Sequence, residues 1–393
     1  MRSTDPAAGE ELLARARALV PLLAEREATT NAARDVPAAT VAAYRDSGLL
    51  RVLQPRRFGG LQLPFDVFSR SIEILTEGCA SSAWVYAVLA EHQWIIASLP
   101  EQGQIDIWGD DPAAVASSSL APRETATRCD GGWRLSGRFP FSSGCTHAQW
   151  AIVGARCEDT AGNVATRYLL VPMHEVEIID DWHVLGLRGT GSRTLMLRDV
   201  FVPAHRTVLL RALLDGTPPG AQVHPDYDIV RAPRGFLVVF SLPPVAFALG
   251  RRALAIAAAA LSGRLSRGTT RMAESEVVQL RLAEAAASIE VASLILDTRR
   301  AQSLAAVASG RPITPQEVLR NRRDITFGMR QIRDAVESLW ELCGSRAVQD
   351  ADPLQPILRD VLTIATHQAF SPLATLLPYG RLLLGLPPGA GEA

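Results

Sequence analysis

The hydrophobic period of this chain changes twice, and nothing else in the sequence constrains the fold as strongly. Up to about residue 112 apolar residues recur at helical spacing: leucines from Leu12 to Leu23, then "PAATVAAYRDSGLL" from Pro37, then "SSAWVYAVLAEHQWIIASL" from Ser81. Between about 113 and 210 the period shortens. "GGWRLSGRF", "WAIVGARC", "TRYLLVPM" and "TLMLRDVFVP" are short runs rich in Val, Leu and aromatics, bounded by Gly, Asp and Pro, which is the pattern of successive antiparallel strands. After a Pro/Gly-rich connector at 215–220 the helical period returns in four Ala-rich stretches, at roughly 236–262, 271–309, 315–346 and 354–384. Their short connectors predict an antiparallel bundle. The expected fold is α+β and mainly α, in three parts. An N-terminal helical domain covers 1–112, a β-sandwich or barrel-like domain 113–220, and a C-terminal four-helix bundle 221–393.

Composition narrows the function. The 393 residues are 48% apolar, enough to build cores without disulfide or metal staples. The formal net charge of -1 removes the broad positive field that nucleic-acid binding requires. Every one of the 40 basic residues is arginine, which excludes a lysine Schiff base and a P-loop lysine. Cys79, Cys129, Cys145, Cys157 and Cys343 are odd in number, scattered and never spaced as CxxC, so a reduced, cytoplasmic protein without structural zinc or another metal site is expected. The opening "MRSTDPAAGEELLARARAL" reads as a first helix, without the apolar core of a signal peptide. "GFLVVFSLPPVAFALG" is broken by Pro243 and Pro244 and is shorter than the ~20 residues of a membrane span, so no membrane association is expected.

No GxGxxG between strand and helix, GxxxxGK[ST], HExxH or GxSxG occurs, which argues against Rossmann hydride transfer, P-loop phosphoryl transfer and the common hydrolases. What stands out instead is "FPFSSGCTHAQWAIVGA" from Phe139 to Ala155. Phe139 and Phe141 alternate as on a strand, and "SSG" then offers two hydroxyls where Gly144 lets the backbone turn closely. The residues alone allow an ordinary hairpin or a catalytic loop.

"SGRFPFSSGCTHAQWAIVGA" resembles the β-domain signature of the flavin-dependent monooxygenases built on the acyl-CoA dehydrogenase fold, the oxygenase components of two-component systems. "LQPRRFGGLQL" (Leu53 to Leu63), "GCASSAWVYAVLAEHQW" (Gly78 to Trp94), "ASSSLAP" (Ala116 to Pro122), "GLRGTGSRTLMLRDVFVPAHR" (Gly186 to Arg206) and "YGRLLLGLPP" (Tyr379 to Pro388) match that family in its order. The resemblance implies an acyl-CoA dehydrogenase-like fold and reduced FMN or FADH2 supplied by diffusion from a separate NAD(P)H:flavin reductase. It also implies O2 as cosubstrate, a flavin C4a-hydroperoxide, an aromatic (phenolic or polyketide) small-molecule substrate, and a homotetramer.

The resemblance also assigns roles. A serine of the "SSG" loop, Ser143 or Ser142, would accept the flavin N5 hydrogen, with Phe141 or Phe139 against the ring. His92, placed inward by a stripe of Trp84, Val88, Ile95 and Leu99, would favour phenolate over phenol. Ser118, or its neighbours Ser117 and Ser119, would face the same pocket. His367 in "LTIATHQAF", read as inward on the last bundle helix, would assist oxygen chemistry, and His147 reads as structural. Arg264, Arg267 and Arg271 would hold the flavin phosphate through paired guanidinium contacts, Arg231 would lie near the pyrimidine end, and Ser192 in "GTGS" would bond to the flavin. Two other readings stand beside this one. A nitrososynthase-like N-oxygenase of amino sugars needs no phenol base, and an acyl-CoA dehydrogenase needs a glutamate and a "YEGT"-like motif that the sequence lacks.

Overall fold

The computed structural model describes residues 6–158, 162–266 and 270–387. By compactness the chain forms two units, and the first holds residues 1–183, 188–241 and 304–313. It opens with five helices: α1 (Pro6–Ala33), α2 (Ala38–Asp46), α3 (Phe65–Thr76), α4 (Ala80–Ala97) and α5 (Glu101–Trp108). Pro37 stands at the N-cap of α2. In α4 every residue from Ala80 to Ala97 is buried. The amphipathic stripe read from the sequence is therefore part of a helix enclosed on all sides, and Leu99 lies beyond its end.

Seven strands follow: β1 (Ala116–Cys129), β2 (Gly132–Ser142), β3 (Trp150–Glu158), β4 (Val164–Pro172), β5 (Glu177–Ile179), β6 (Arg193–Pro203) and β7 (Thr207–Leu209). Their order is β5-β6-β2-β1-β3-β4-β7. All pairings are antiparallel except one: β1 runs parallel to β3, with Ser118 opposite Ile152. The sequence suggests only successive antiparallel strands. β1 and β3 can run parallel because β2 and the serine loop carry the chain back between them. One apolar core gathers Trp133, Leu135 and Phe139 of β2, Val153 of β3, Leu169 of β4 and Leu195 of β6. Three short helices, α6 (Leu210–Asp215), α7 (Gly220–Val223) and α8 (Arg234–Leu237), complete this unit.

The second unit, residues 184–187, 242–303 and 314–393, is helical. It contains α9 (Pro243–Ser262), most of α10 (Glu276–Ala308), α11 (Pro315–Cys343), α12 (Leu354–Ala365) and α13 (Pro372–Leu383). α11 starts with a capping box in which Thr314 Oγ1 accepts from the Glu317 N–H, a contribution of about 1 kcal/mol. α9 lies against α11, and Gly328 permits the approach: a Cβ there would stand 2.8 Å from the Phe247 ring. The stretch expected as one helix over 354–384 is two. α12 ends at Ala365, and a turn over 366–371 precedes Pro372, which opens α13 because it has no N–H to contribute to a continuing helix.

Candidate active site

Two groups of polar side chains meet α4. At the first, His92 is 2% exposed, with Nδ1 2.6 Å from the Ala116 carbonyl and Nε2 3.0 Å from Ser118 Oγ. A carbonyl only accepts, so the hydrogen sits on Nδ1. Nε2 is then a lone pair to which Ser118 donates. Burial pushes the imidazole below its ordinary pKa; Glu91 and the Ala116 carbonyl pull it up, and Arg234 pushes it down. Glu91 and Arg234 form a buried ion pair at 2.8 Å, and the guanidinium lies 6.0 Å from the Tyr168 ring.

Strand alternation separates the three serines of β1. Ser117 accepts from Ser142 Oγ at 3.0 Å and Ser119 donates to the Pro140 carbonyl at 2.6 Å, so both face β2. Ser118 points the other way, to His92, and is half-buried where its neighbours are buried.

At the second group, the serine loop leaves β2 with Phe141 and Gly144 both at φ 66°. At Gly144 a Cβ would also lie 2.8 Å from Val85 of α4, so the loop rests on the helix only because the residue is glycine. The Gly144 N–H donates to the Thr190 carbonyl at 2.9 Å. Ser143 Oγ accepts from the Trp84 indole N–H at 3.2 Å and lies 2.7 Å from Ser192 Oγ, which lies 2.6 Å from Thr190 Oγ1. Ser142 is fully buried and used inside the sheet, whereas Ser143 retains some exposure. The two serines that the sequence could not separate thus face opposite ways. Phe139 is packed in the sheet core, while Phe141 is 63% exposed, edge-on to Trp182 with centroids 6.1 Å apart.

Asp35, just past α1, braces the loop. It accepts from Thr146 Oγ1 at 3.0 Å and Arg193 at 2.7 Å, with His147 Nε2 3.3 Å away. Burial pushes this carboxyl up, but His147 and Arg193 outweigh it and hold it below the usual carboxylate range.

The remaining sequence candidates are described by their own partners. Arg231 is exposed and donates to the Pro225 and Ala221 carbonyls at 3.0 Å each, closing its own connector. In the helical unit, Arg264 donates to the Cys343 carbonyl at 2.5 Å, Arg271 is exposed 4.0 Å from Glu274, and Arg267 lies outside the described residues. His367 is not on a helix as expected. The helical spacing ends with α12, and the exposed imidazole caps the following turn, its Nδ1 accepting from the Ala369 N–H at 3.2 Å.

The sequence places Trp84 in the core-facing stripe without showing the partner of its indole N–H, which when buried needs an acceptor. Trp84, Val88 and His92 follow one another at four-residue steps, so that signal was present. Thr190, Asp35 and the Ala116 carbonyl carried none, because each matters only through a partner distant in sequence.

The first group offers a neutral base beside a half-buried hydroxyl. The second offers an exposed aromatic ring on the same loop as a hydroxyl that already accepts from an indole N–H, a set that suits a planar heteroaromatic ring with a polar edge, such as a reduced flavin.

Residues 242–372 match the family model described as acyl-CoA dehydrogenase, C-terminal domain. The chain is 36% identical over 388 residues to the FADH(2)-dependent resorcinol hydroxylase, oxygenase component, of Rhizobium sp. (strain MTP-10005), covering 96% of this chain and 95% of the relative. Among solved structures, 3-HSA hydroxylase from Rhodococcus sp. RHA1 superposes with a TM-score of 0.92 at 30% identity, over 98% of this chain and 99% of that one. XiaF from Streptomyces sp., solved in complex with FADH2 and glycerol, gives 0.88 at 27% identity, over 98% and 97%. A likeness that runs through nearly the whole of each chain, in sequence and in fold, leaves one conclusion: this chain belongs to the flavin-dependent monooxygenase oxygenase components built on the acyl-CoA dehydrogenase fold.

Proposed function

We propose that the substrate is a phenolic ring and that His92 takes its proton. The observation that carries this is the fixed tautomer of His92: a buried, neutral imidazole held by the Ala116 carbonyl so that Nε2 receives a hydrogen, directly or through Ser118. A phenolate is the more electron-rich ring, and an imidazole that is neutral at working pH has the free lone pair needed to take the phenol proton. As an oxygenase component the enzyme uses O2 and a reduced flavin, FMN or FADH2, that a separate reductase supplies. When bound, the flavin provides the electrons and activates O2.

The protein's part is to orient, to exclude water and to hold protons. Ser143 accepts the flavin N5 hydrogen and Phe141 covers the ring; the support is the exposure of Phe141 and the position of Ser143 beside Trp84. Arg271 is assigned to the flavin phosphate because its guanidinium is exposed, 4.0 Å from Glu274, and Arg264 and Arg267 keep that role on the resemblance. His367 is likewise kept as the second histidine. The enzyme is read as a cytoplasmic homotetramer that reaches its reductase only through diffusing flavin and binds neither nucleic acid nor membrane. In support, Leu280, Val291 and Leu294 of α10 and Leu373 and Leu377 of α13 are exposed, and the apolar segment Arg234–Ser262 is half buried inside the protein. N-oxygenation is the weaker reading, since it leaves the His92 and Ser118 pair without a task.

The test is a panel of phenols incubated with NADH, a generic flavin reductase and 18O2, read by mass spectrometry. One labelled oxygen in a ring product supports the reading. Peroxide alone from every phenol, with labelled product from an amine, overturns it.

A further inference from the structure

A hydroxyl group brings one hydrogen and two acceptor positions to a network. At Ser143 these are almost fully allotted. The Trp84 N–H occupies one acceptor position, and Ser192 Oγ, 2.7 Å away, either gives or receives the next hydrogen. If Ser192 donates, both acceptor positions of Ser143 are filled and its own hydrogen points outward. If Ser192 accepts, Ser143 points a lone pair outward. Thr190 makes the second arrangement available, because its Oγ1, 2.6 Å from Ser192 Oγ, can take the Ser192 hydrogen and leave Ser192 a lone pair for the hydrogen of Ser143.

We propose that Ser192 and Trp84 are positioning residues that polarise Ser143 as an acceptor, and that this polarity makes the site select reduced over oxidised flavin. The inference rests on the reading of Ser143 as the partner of flavin N5. Reduced flavin carries a hydrogen on N5 and meets the Ser143 lone pair. Oxidised flavin carries only a lone pair there and is repelled. Ser192 thus acts through Ser143 and not by touching the flavin itself. The chain Trp84, Ser143, Ser192, Thr190 consists of neutral groups, and the charged and titratable groups bracing the serine loop, Asp35, Arg193 and His147, engage one another and Thr146.

The experiment measures binding, without turnover. Dissociation constants of the full-length protein for oxidised FMN and for anaerobically photoreduced FMN are determined by quenching of tryptophan fluorescence, and their ratio, oxidised over reduced, is compared among variants. Ser192→Ala removes the acceptor, turns the Ser143 hydrogen outward and lowers the ratio about tenfold, the scale of one hydrogen bond exchanged for a repulsion. Ser192→Thr keeps the hydroxyl and restores the native ratio. Ser143→Ala lowers the ratio, and adding Ser192→Ala to it changes nothing more. A native ratio in Ser192→Ala alongside a lowered one in Ser143→Ala overturns the inference and spares the reading of Ser143. An unchanged ratio in Ser143→Ala overturns both. An equal effect of Ser192→Ala with and without Ser143 also overturns the inference, since Ser192 would then act by another route. Should Ser192→Ala melt at too low a temperature to titrate, Ser192→Cys, of similar size and a poor acceptor, reads the same ratio.

Discussion

His92 and Trp84 lie eight residues apart on α4, about 12 Å along its axis, yet the groups around them are of opposite kinds. Around His92 sits a titratable base whose proton affinity is set by burial, a backbone carbonyl and the Glu91–Arg234 pair. Around Trp84 stands a run of neutral hydroxyls, those of Ser143, Ser192 and Thr190. On the proposed reading, one end of the helix exchanges a proton with a substrate and the other holds a hydrogen in place without exchanging it. The difference teaches that one enclosed helix can border both kinds of site, with a titratable side chain of its own at one and a neutral indole donor at the other.

The sharpest way to break this division is His92→Ala. Loss of a general base should lower kcat/KM for a phenol by about 10²- to 10³-fold, while the oxidised-to-reduced FMN affinity ratio stays native; a change in that ratio would mean that the two ends are coupled. Gly144→Ala attacks the other end. The added methyl meets Val85 at 2.8 Å on a residue with φ 66°, and the expected cost is about 1–3 kcal/mol. Thermal melting should register it, and the FMN affinity ratio should fall. The His92 imidazole, followed by NMR titration, should keep its pKa.

A pH series sharpens the comparison further. Because the folded state holds the His92 pKa below its ordinary value, the unfolded chain takes up the proton first on acidification. His92 therefore costs no stability above the ordinary imidazole pKa, and stability declines progressively as pH falls from there toward the folded pKa. Denaturant unfolding of the native protein and His92→Gln at pH 7.5 and 5.5 should show a smaller acid loss in the variant. The smallest effect is expected from Ser118→Ala. It leaves Nε2 of His92 without its hydroxyl donor and should cost about 1 kcal/mol, a several-fold drop in kcat for the phenol with the imidazole still in place. A drop as deep as that of His92→Ala would make Ser118 an obligatory proton carrier.

Much of this is legible in the order and spacing of the residues. The change of period marks the helices, the strands and the second helical block, and the serine loop and the inward histidine can be singled out by residue type and spacing. Trp84 can be placed on the core-facing stripe but not recognised as a donor, because a tryptophan reads as apolar volume until its N–H is seen to need a partner. The helical spacing of His367 misleads, since periodicity records where apolar residues recur and not where a chain breaks before Pro372. The parallel pairing of β1 with β3 is equally hidden, as neighbouring strands of either sense carry the same alternation.

By itself the sequence determined the kinds of element, their order, and the residue types available for acid–base and hydroxyl chemistry, since local spacing decides which faces of a helix or strand can be buried. Only the tertiary structure decided that Ser143 and not Ser142 joins Trp84, that Ser118 and not Ser117 or Ser119 meets His92, and that Phe141 is the exposed ring. The reason is that side chains alternate across a strand, so one residue of register exchanges the two faces, and register is set by partners tens of residues away.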